Sequence, residues 1–419
     1  DQVRLIGTPR GADRIVLDYG QKISQSRPLQ LKDMEYYLLL ANQLPGVTTK
    51  AVLEPSKTEV GASDLDLAVD TQRINAMLSY DNYGTLYIGP HQVTAMGSIN
   101  SVVRSGDMTR ATYLAATKEA ELHYLDIYYQ TPVGAHGLTL SGGGNQSLTA
   151  PGFVLQPLET RGKANIYYLN LQYPLLMSRA QYLLLDGGLS YNDSRVTQLD
   201  ILQLYNDHLR PAKIGGVYGF SDRFNGSNVF GLHVEQGLNI WGASDDPHSL
   251  STSRFGADGI FTKWTTQYTR TQPLFSTRFS LFGLLQGQYT NKPLLVAEQF
   301  GFGGSAVGRG YDPAEILGDQ GAAGSFELRY DTAPQFWQLQ SVQYYIYYDI
   351  GKIWNIENLP GVKQNQSASS TGLGARFVWT QYISGNLMFT QVLTKSIASE
   401  ELIDRGRNPK VFFSLVASV

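Results

Sequence analysis

A chain of 419 residues with no cysteine and a formal net charge of −3 holds no disulfide or thiolate metal site and makes no case for nucleic-acid binding. Only 16% of its residues are charged, against roughly 25% in ordinary soluble domains, while 43 are glycine and 26 tyrosine. That balance suits a transmembrane β-barrel, whose wall is apolar only at alternate positions and whose aromatics gather at the two interfaces.

No apolar run approaches the roughly 18 residues of a spanning helix; the nearest, Leu38-Leu39-Leu40-Ala41, is far too short. A bilayer-spanning chain without such helices has to be a closed barrel, because lipid satisfies no free backbone polar group. No signal peptide is visible, and Asp1-Gln2-Val3 reads as the start of a mature or trimmed chain.

Residues 1–70 read as a small β-α-α-β-β domain. Val3-Arg4-Leu5-Ile6 is a short strand, followed by helices near 13–24 and 29–43. The second helix carries Leu31, Met34, Leu38 and Ala41 at spacings that share one face, with Pro28 before it and Pro45-Gly46 at its end. Strands follow near 47–54 and 64–70, where Leu65, Leu67 and Val69 alternate with Asp64, Asp66 and Ala68.

From residue 71 to 419 the period changes to two. Sixteen strand-like runs are predicted, near 72–82, 84–100, 108–118, 119–133, 136–149, 160–175, 180–195, 209–223, 227–239, 253–273, 275–290, 322–335, 342–355, 369–384, 386–397 and 409–419. An even number is what single-chain bacterial barrels require. Phe326, Leu328 and Tyr330 alternate with Glu327, Arg329 and Asp331. Phe275, Phe279, Leu281, Leu285 and Tyr289 take one face of their strand, with Ser276, Arg278, Ser280, Gln286, Gln288 and Thr290 on the other, where Phe282 and Leu284 intrude. The expected fold is therefore mainly β: a sixteen-stranded antiparallel transmembrane barrel with a wet lumen. A pair of soluble β-sandwiches would need more charge and shorter strands.

The longest connection, 291–321, contains Gly301-Phe302-Gly303-Gly304-Ser305-Ala306-Val307-Gly308-Arg309-Gly310-Tyr311-Asp312. A connection of this length is functional or disordered. Its mixture of Phe302, Val307, Tyr311, Ile316 and Leu317 with glycines points to an ordered segment packed inside the barrel. Arg309 brings a permanent charge and a fixed fork of donors. If Val342, Tyr344, Ile346 and Tyr348 face lipid, then Gln343, Tyr345, Tyr347 and Asp349 face the lumen, and Asp349 needs a cationic partner. Arg309, Arg329 and Arg376 are the candidates.

Enzymatic motifs are missing. The six histidines are scattered without metal-ligand spacing, and no GxSxG elbow or Walker loop occurs. Gly301–Ala306 opens like a dinucleotide loop but precedes no helix and lacks the third glycine. No catalytic residue, metal or cofactor is expected.

Three motifs resemble those of one family. Arg27-Pro28-Leu29 with Leu38-Leu39-Leu40-Ala41-Asn42-Gln43-Leu44-Pro45-Gly46-Val47 is similar to the signature of a barrel-proximal POTRA (polypeptide-transport-associated) domain. Gly308-Arg309-Gly310-Tyr311, Gly318-Asp319-Gln320-Gly321 and Glu327-Leu328-Arg329 are similar to the superfamily's RGF/RGY segment, and Tyr348-Asp349-Ile350-Gly351 to its D-x-G strand. The whole resembles the outer-membrane POTRA-barrel superfamily, and the LPGV helix end points to the transporters of two-partner secretion, the haemolysin and adhesin exporters. Gly308 stands where valine is usual, and the chain ends Ala417-Ser418-Val419 rather than in phenylalanine. One POTRA domain stands where the family usually has two and often a plug helix, which implies a longer natural N-terminus.

The resemblance implies a bacterial outer-membrane translocase with its POTRA domain in the periplasm. It would work as a monomer in outer-membrane lipid and export a large unfolded exoprotein (an adhesin, haemolysin or contact-dependent toxin) captured by that partner's N-terminal secretion domain. It implies that Arg309, Gly310 and Tyr311 dock on Asp349 and Gly351 as a loop-to-barrel clamp. Leu44, Pro45, Gly46 and Val47 are the expected substrate-recognition segment, beside a groove that takes an extended chain by strand addition. The alternatives are a POTRA-barrel assembly factor that inserts other outer-membrane proteins, and a solute porin.

Overall fold

The computed structural model describes residues 2–419 apart from 57–59, 61, 119–120, 200, 276–277, 335–337, 357–363 and 395–407. The inner-face expectation for Ser276 and the strand ends expected at 119–120, 335 and 395–397 lie outside the described residues.

The N-terminal domain consists of β1 (Val3–Gly7), α1 (Asp13–Ser24), α2 (Leu31–Gln43), β2 (Val47–Pro55) and β3 (Ser63–Thr71). β3 lies in the middle, parallel to β1 and antiparallel to β2, so β2 is an edge strand. Ile15, Val16, Tyr19 and Ile23 of α1 meet Leu65, Leu67 and Val69 of β3 in the core, joined by Leu40 and Ala41 of α2. The helical stripe expected to form a single buried face splits here. Ala41 is buried, but Leu31 is 72% exposed, and Met34 and Leu38 line a groove instead. The reason is geometric: Leu40 lies about 100° beyond Ala41 around the helix, on the side away from Leu38, so a core centred on Leu40 and Ala41 leaves Leu38 and Met34 at its margin, toward β2.

The barrel follows in chain order. Its first half comprises β4 (Ile74–Asp81), β5 (Gln92–Asn100), β6 (Met108–Ala116), β7 (Leu122–Val133), β8 (Leu138–Thr149), β9 (Thr160–Met177), β10 (Gln181–Gln198), β11 (Leu202–Leu209) and β12 (Pro211–Ser221). The second half comprises β13 (Ser227–Gly237), β14 (Thr262–Pro273), β15 (Phe279–Thr290), β18 (Gln320–Thr332), β19 (Ser341–Trp354), β20 (Asn365–Val378), β21 (Ile383–Val392) and β22 (Lys410–Ser418). The short hairpin of β16 (Phe300–Phe302) and β17 (Ile316–Gly318) belongs to the connection between β15 and β18. β11 and β12 both pair with β10 and are two halves of one strand, so the described residues form sixteen antiparallel strands. Closure is between β22 and β4, through the register Ser414↔Asp81 to Ser418↔Met77.

Side-chain exposure identifies the two faces. On β19, Tyr344, Ile346, Tyr348 and Ile350 are 42–56% exposed, while Tyr345, Tyr347 and Asp349 are 0–3% exposed. An apolar face left outward on a closed barrel is a lipid-facing wall. The N-terminal domain sits on one end: Tyr36 Oη donates to Pro174 O at 3.0 Å, Ile15 N to Ser105 Oγ at 3.1 Å, and Arg179 N to Glu35 Oε1 at 2.7 Å. Connections at this end are short; the long described ones, 238–261 and 291–319, lie at the far end.

Several strands start elsewhere than the period suggests. The run expected from 84 begins at Gln92, because Thr85 Oγ1 accepts from Tyr87 N and Ile88 N and holds a turn. The run expected from 253 begins at Thr262, because Ala257 and Phe261 pack with Leu294 and Leu295 in an ordered connection. The run expected at 209–223 starts at Leu202 and breaks at Arg210, whose buried guanidinium donates to Asn192 O, Leu209 O and Trp241 O. The turn placed near 385 lies at 379–382, where Thr380 Oγ1 accepts from Tyr382 N and Ile383 N.

Candidate functional site: a clamp on the barrel's inner face

The 291–319 connection folds against the inward faces of β15 and β18–β21. Phe302, Val307, Tyr311 and Ile316 pack with Leu284, Ala323, Ile353, Ala368 and Val392, with Phe282 at the margin. Leu284 and Phe282, which broke the polar face of their strand, are therefore the floor under this segment.

Arg309 is 3% exposed and lies over the inner face of β18 and β19. Its Nε donates to Asp349 Oδ2 at 3.0 Å and its Nη2 to Asp349 Oδ1 at 2.8 Å. The backbone joins in, with Gly308 N at 3.0 Å and Arg309 N at 2.9 Å from the same Oδ2. Nη2 also donates to Ser325 Oγ at 2.7 Å, and Nη1 to Glu327 Oε1. The Tyr347 ring lies 3.6 Å from the guanidinium carbon, a cation–π contact. Register explains the convergence: Ser325 is opposite Asp349 and Glu327 opposite Tyr347, all on inward positions of two adjacent strands. Burial works against the charge on Arg309, but the hydrogen bonds and charges of Asp349 and Glu327 outweigh it and hold its pKa above the ordinary value.

The other two arginines that could have met Asp349 go to Glu327. Arg376 Nη1 and Nη2 lie 3.0 and 2.9 Å from its two oxygens, and Arg329 Nε lies 2.6 Å from Oε2. Three guanidiniums thus share two carboxylates, and every carboxylate oxygen is bonded. Buried charges are tolerated only on these terms.

The remaining clamp residues fit around this pair. Gly310 has φ +106°, a conformation that side chains disfavour, and its carbonyl accepts from Lys410 Nζ at 2.7 Å. Tyr311 Oη donates to Ser369 O at 3.0 Å. Gly351, two residues past Asp349, lies under the Phe302 ring; a Cβ there would meet Phe302 Cδ2 at 2.2 Å. Sequence reasoning did not single out Glu327, Ser325, Tyr347 or Phe302 as clamp residues. The inward phase of Ser325, Glu327 and Tyr347 was readable, but which inward residues of neighbouring strands face each other is a matter of register, and Phe302 lies in a connection that has no phase to read.

Beside the clamp lies a space along β12–β15. A cavity of about 430 Å³ borders Phe300 and the inner wall, lined by Lys213, His233, Thr265, Gln267 and Gln286 among others.

A second feature lies on the N-terminal domain. A groove of about 570 Å³ runs between α2 and the edge strand β2, lined by Leu31, Met34, Glu35, Leu38, Leu39, Lys50, Ala51 and, at its barrel end, Arg179. Leu44 and Val47 do not line it; both are buried in the domain core, and Gly46 O accepts from Gln72 N at the junction with the barrel. The Leu44–Val47 turn therefore sets the angle between α2 and β2. Among the described residues no group of three or more His, Asp or Glu side chains could hold a metal ion.

The family model described as haemolysin secretion/activation protein ShlB/FhaC/HecB matches residues 61–377. CdiB from Escherichia coli superposes with a TM-score of 0.82 at 16% identity, covering 100% of this chain and 76% of that one. CdiB from Acinetobacter baumannii gives 0.75 at 18% identity, covering 100% and 74%. BamA from Haemophilus ducreyi lacking POTRA domains 1–3 gives 0.64 at 11% identity, covering 100% and 84%. At such identities these likenesses concern the fold. The comparison with curated proteins gave no match.

Proposed function

The chain belongs to the haemolysin secretion/activation protein family, the outer-membrane transporters of two-partner secretion that export an exoprotein, and from that membership we propose how its parts divide the work. The N-terminal domain, a POTRA domain over 1–70, faces the periplasm and receives the exoprotein's N-terminal secretion domain. The barrel, 71–419, is the conduit, and the 291–321 segment is its internal stop. Arg309, Gly310, Tyr311, Asp349 and Gly351 are the clamp that holds the stop in place between transport events.

The carrying observation is the density of bonding at Arg309. All three guanidinium nitrogens are bonded to groups on the barrel wall, on a segment that otherwise lies in the path of a passenger. A wall-bound stop with its own polar fastener can be released and re-seated. The short connections at the domain's end and the long ones at the other support a periplasmic placement of the domain, since barrels of this kind keep their short turns there. The apolar outer belt supports direct contact with outer-membrane lipid, and closure by one chain supports a monomer.

The groove between α2 and β2 supports capture by strand addition. β2 has one unpaired edge, and Leu31, Met34 and Leu38 offer apolar contacts beside it. Leu44, Pro45, Gly46 and Val47 contribute by holding the groove's geometry. Folding of the exported protein outside supplies the drive in this reading, so a folding-defective passenger should stall in the channel. Co-expression with the exoprotein gene partner and assay of the medium tests the whole: Arg309→Ala should assemble in the outer membrane yet release far less passenger. Undiminished export would refute the clamp. An assembly factor is the weaker alternative, since the likeness to BamA has the lower TM-score; depletion of the chain would then lower other barrels in the membrane rather than one exoprotein in the medium.

A further inference from the structure

Asp319, the residue before β18, is fully buried and gathers donors from three separate connections. Arg254, from the 238–261 connection, meets it with both prongs: Nη2 lies 3.1 Å from Oδ2, and Nη1 bonds Oδ1. Leu294 N, in the first part of the inner segment, donates to Oδ1 at 2.8 Å. Ile356 N, just past β19, donates to Oδ2 at 2.9 Å. Arg254 is itself 8% exposed and donates to Leu294 O at 3.2 Å. One carboxylate therefore knits three connections at the far mouth of the barrel, and its bidentate arginine partner gives geometric specificity.

Its position relative to the clamp matters. Asp319 continues the alternate set of Gly321, Ala323, Ser325 and Glu327, whose members face inward. Ser325 lies opposite Asp349, six residues or about 20 Å further along the tilted strand, hence about 15 Å deeper. The inner segment is thus held at two depths, near its tip by Arg309 and at its base by Asp319.

We propose that Arg254 and Asp319 form a second fastener, which binds the 238–261 connection to the base of the inner segment and keeps the conduit closed when the Arg309 clamp lets go. This inference rests on reading the 291–321 segment as the conduit's stop. Arg254 acts through Asp319 and is a positioning residue; no passenger contact is required of it. Because either fastener alone retains the segment, their removal should be synergistic.

The test uses the purified full chain in planar bilayers, with Arg254→Gln, Arg309→Gln and the double variant. Each single change should raise the frequency of large openings by a few-fold, and the double by roughly tenfold beyond the product of the two, as coupled sites do. A double variant that equals the product overturns the proposal, as does an Arg254→Gln barrel indistinguishable from wild type in both backgrounds. Gel mobility before and after heating reports whether each barrel has folded. Should Arg254→Gln fail to fold, Arg254→Lys, which keeps the charge and loses the two-pronged bond, replaces it under the same criteria. Conductance needs no passenger, so synergy in a chain that exports none would support the fastener while removing the transport reading.

Discussion

Asp349 Oδ2 accepts three N–H bonds from two consecutive residues, Gly308 N, Arg309 N and Arg309 Nε, all within 3.0 Å. The carboxylate therefore recognises the backbone of the inner segment as well as the charge at its tip. Asp349→Asn keeps the shape, removes the charge and turns one oxygen into a donor facing donors. Breaking a buried pair in this way costs roughly 3–5 kcal/mol of local stability. The tip of the segment should loosen while its base stays bonded at Asp319 and the barrel persists, with a few-fold more frequent large openings and less exoprotein in the medium. Wild-type conductance and export together would exclude this role. Arg309→Lys should fall between, since a single ammonium cannot fill the positions of Nε, Nη1 and Nη2.

Gly351 owes its identity to Phe302. A methyl group at 351 would sit 2.2 Å from that ring and force the whole β16–β17 hairpin off the wall. Gly351→Ala should reproduce the phenotype of a clamp variant without touching a charge. Overpacking of this kind costs typically 1–3 kcal/mol. Phe302→Ala in the same chain should restore part of the closed conductance, and failure of any such rescue would show that the glycine serves something else.

Tyr347 contributes its face more than its hydroxyl. The guanidinium carbon of Arg309 lies 3.6 Å from the ring, whereas the hydroxyl only reaches Arg309 O at 3.5 Å. Tyr347→Phe should behave as wild type; Tyr347→Leu should loosen the segment by about 1–2 kcal/mol, the scale of a desolvated cation–π contact. Protease cleavage within 303–312 in detergent-solubilised barrels is the readout. Equal cleavage of the two variants would rule out the stacking contribution.

Leu31 is the most exposed apolar side chain of the α2–β2 groove, at 72%. Leu31→Asp should leave the domain folded, because the core lies on Leu40 and Ala41. Passenger affinity should drop by about 5- to 30-fold, the equivalent of about 1–2 kcal/mol of lost apolar contact. Binding of the exoprotein's N-terminal secretion domain to the full transporter by calorimetry would measure it. Unchanged affinity would move the docking site away from the groove.

Much of the architecture could be read from the chain alone. Period-two alternation with few charges reveals a membrane barrel, since one face of each strand must meet lipid and the other water. Even the two offending residues, Phe282 and Leu284, carried information, because apolar side chains on a wet face need something to cover them. The charged residues Arg309 and Asp349 were also legible, because a buried ion requires a counter-ion.

The partners of these residues were decided only by tertiary structure. Glu327, not Asp349, collects Arg329 and Arg376, because register places it beside Tyr347 and below the arginine tip. Likewise Arg254 meets Asp319 across 65 residues of chain, from a stretch that reads as the start of a strand but folds as a connection. Alternation states which way a side chain points; it is silent on which strand position lies opposite and on where an aperiodic connection comes to rest. Those depend on hydrogen-bond register and on packing between segments distant in the chain, and it is there that the clamp, its floor and its second fastener are made.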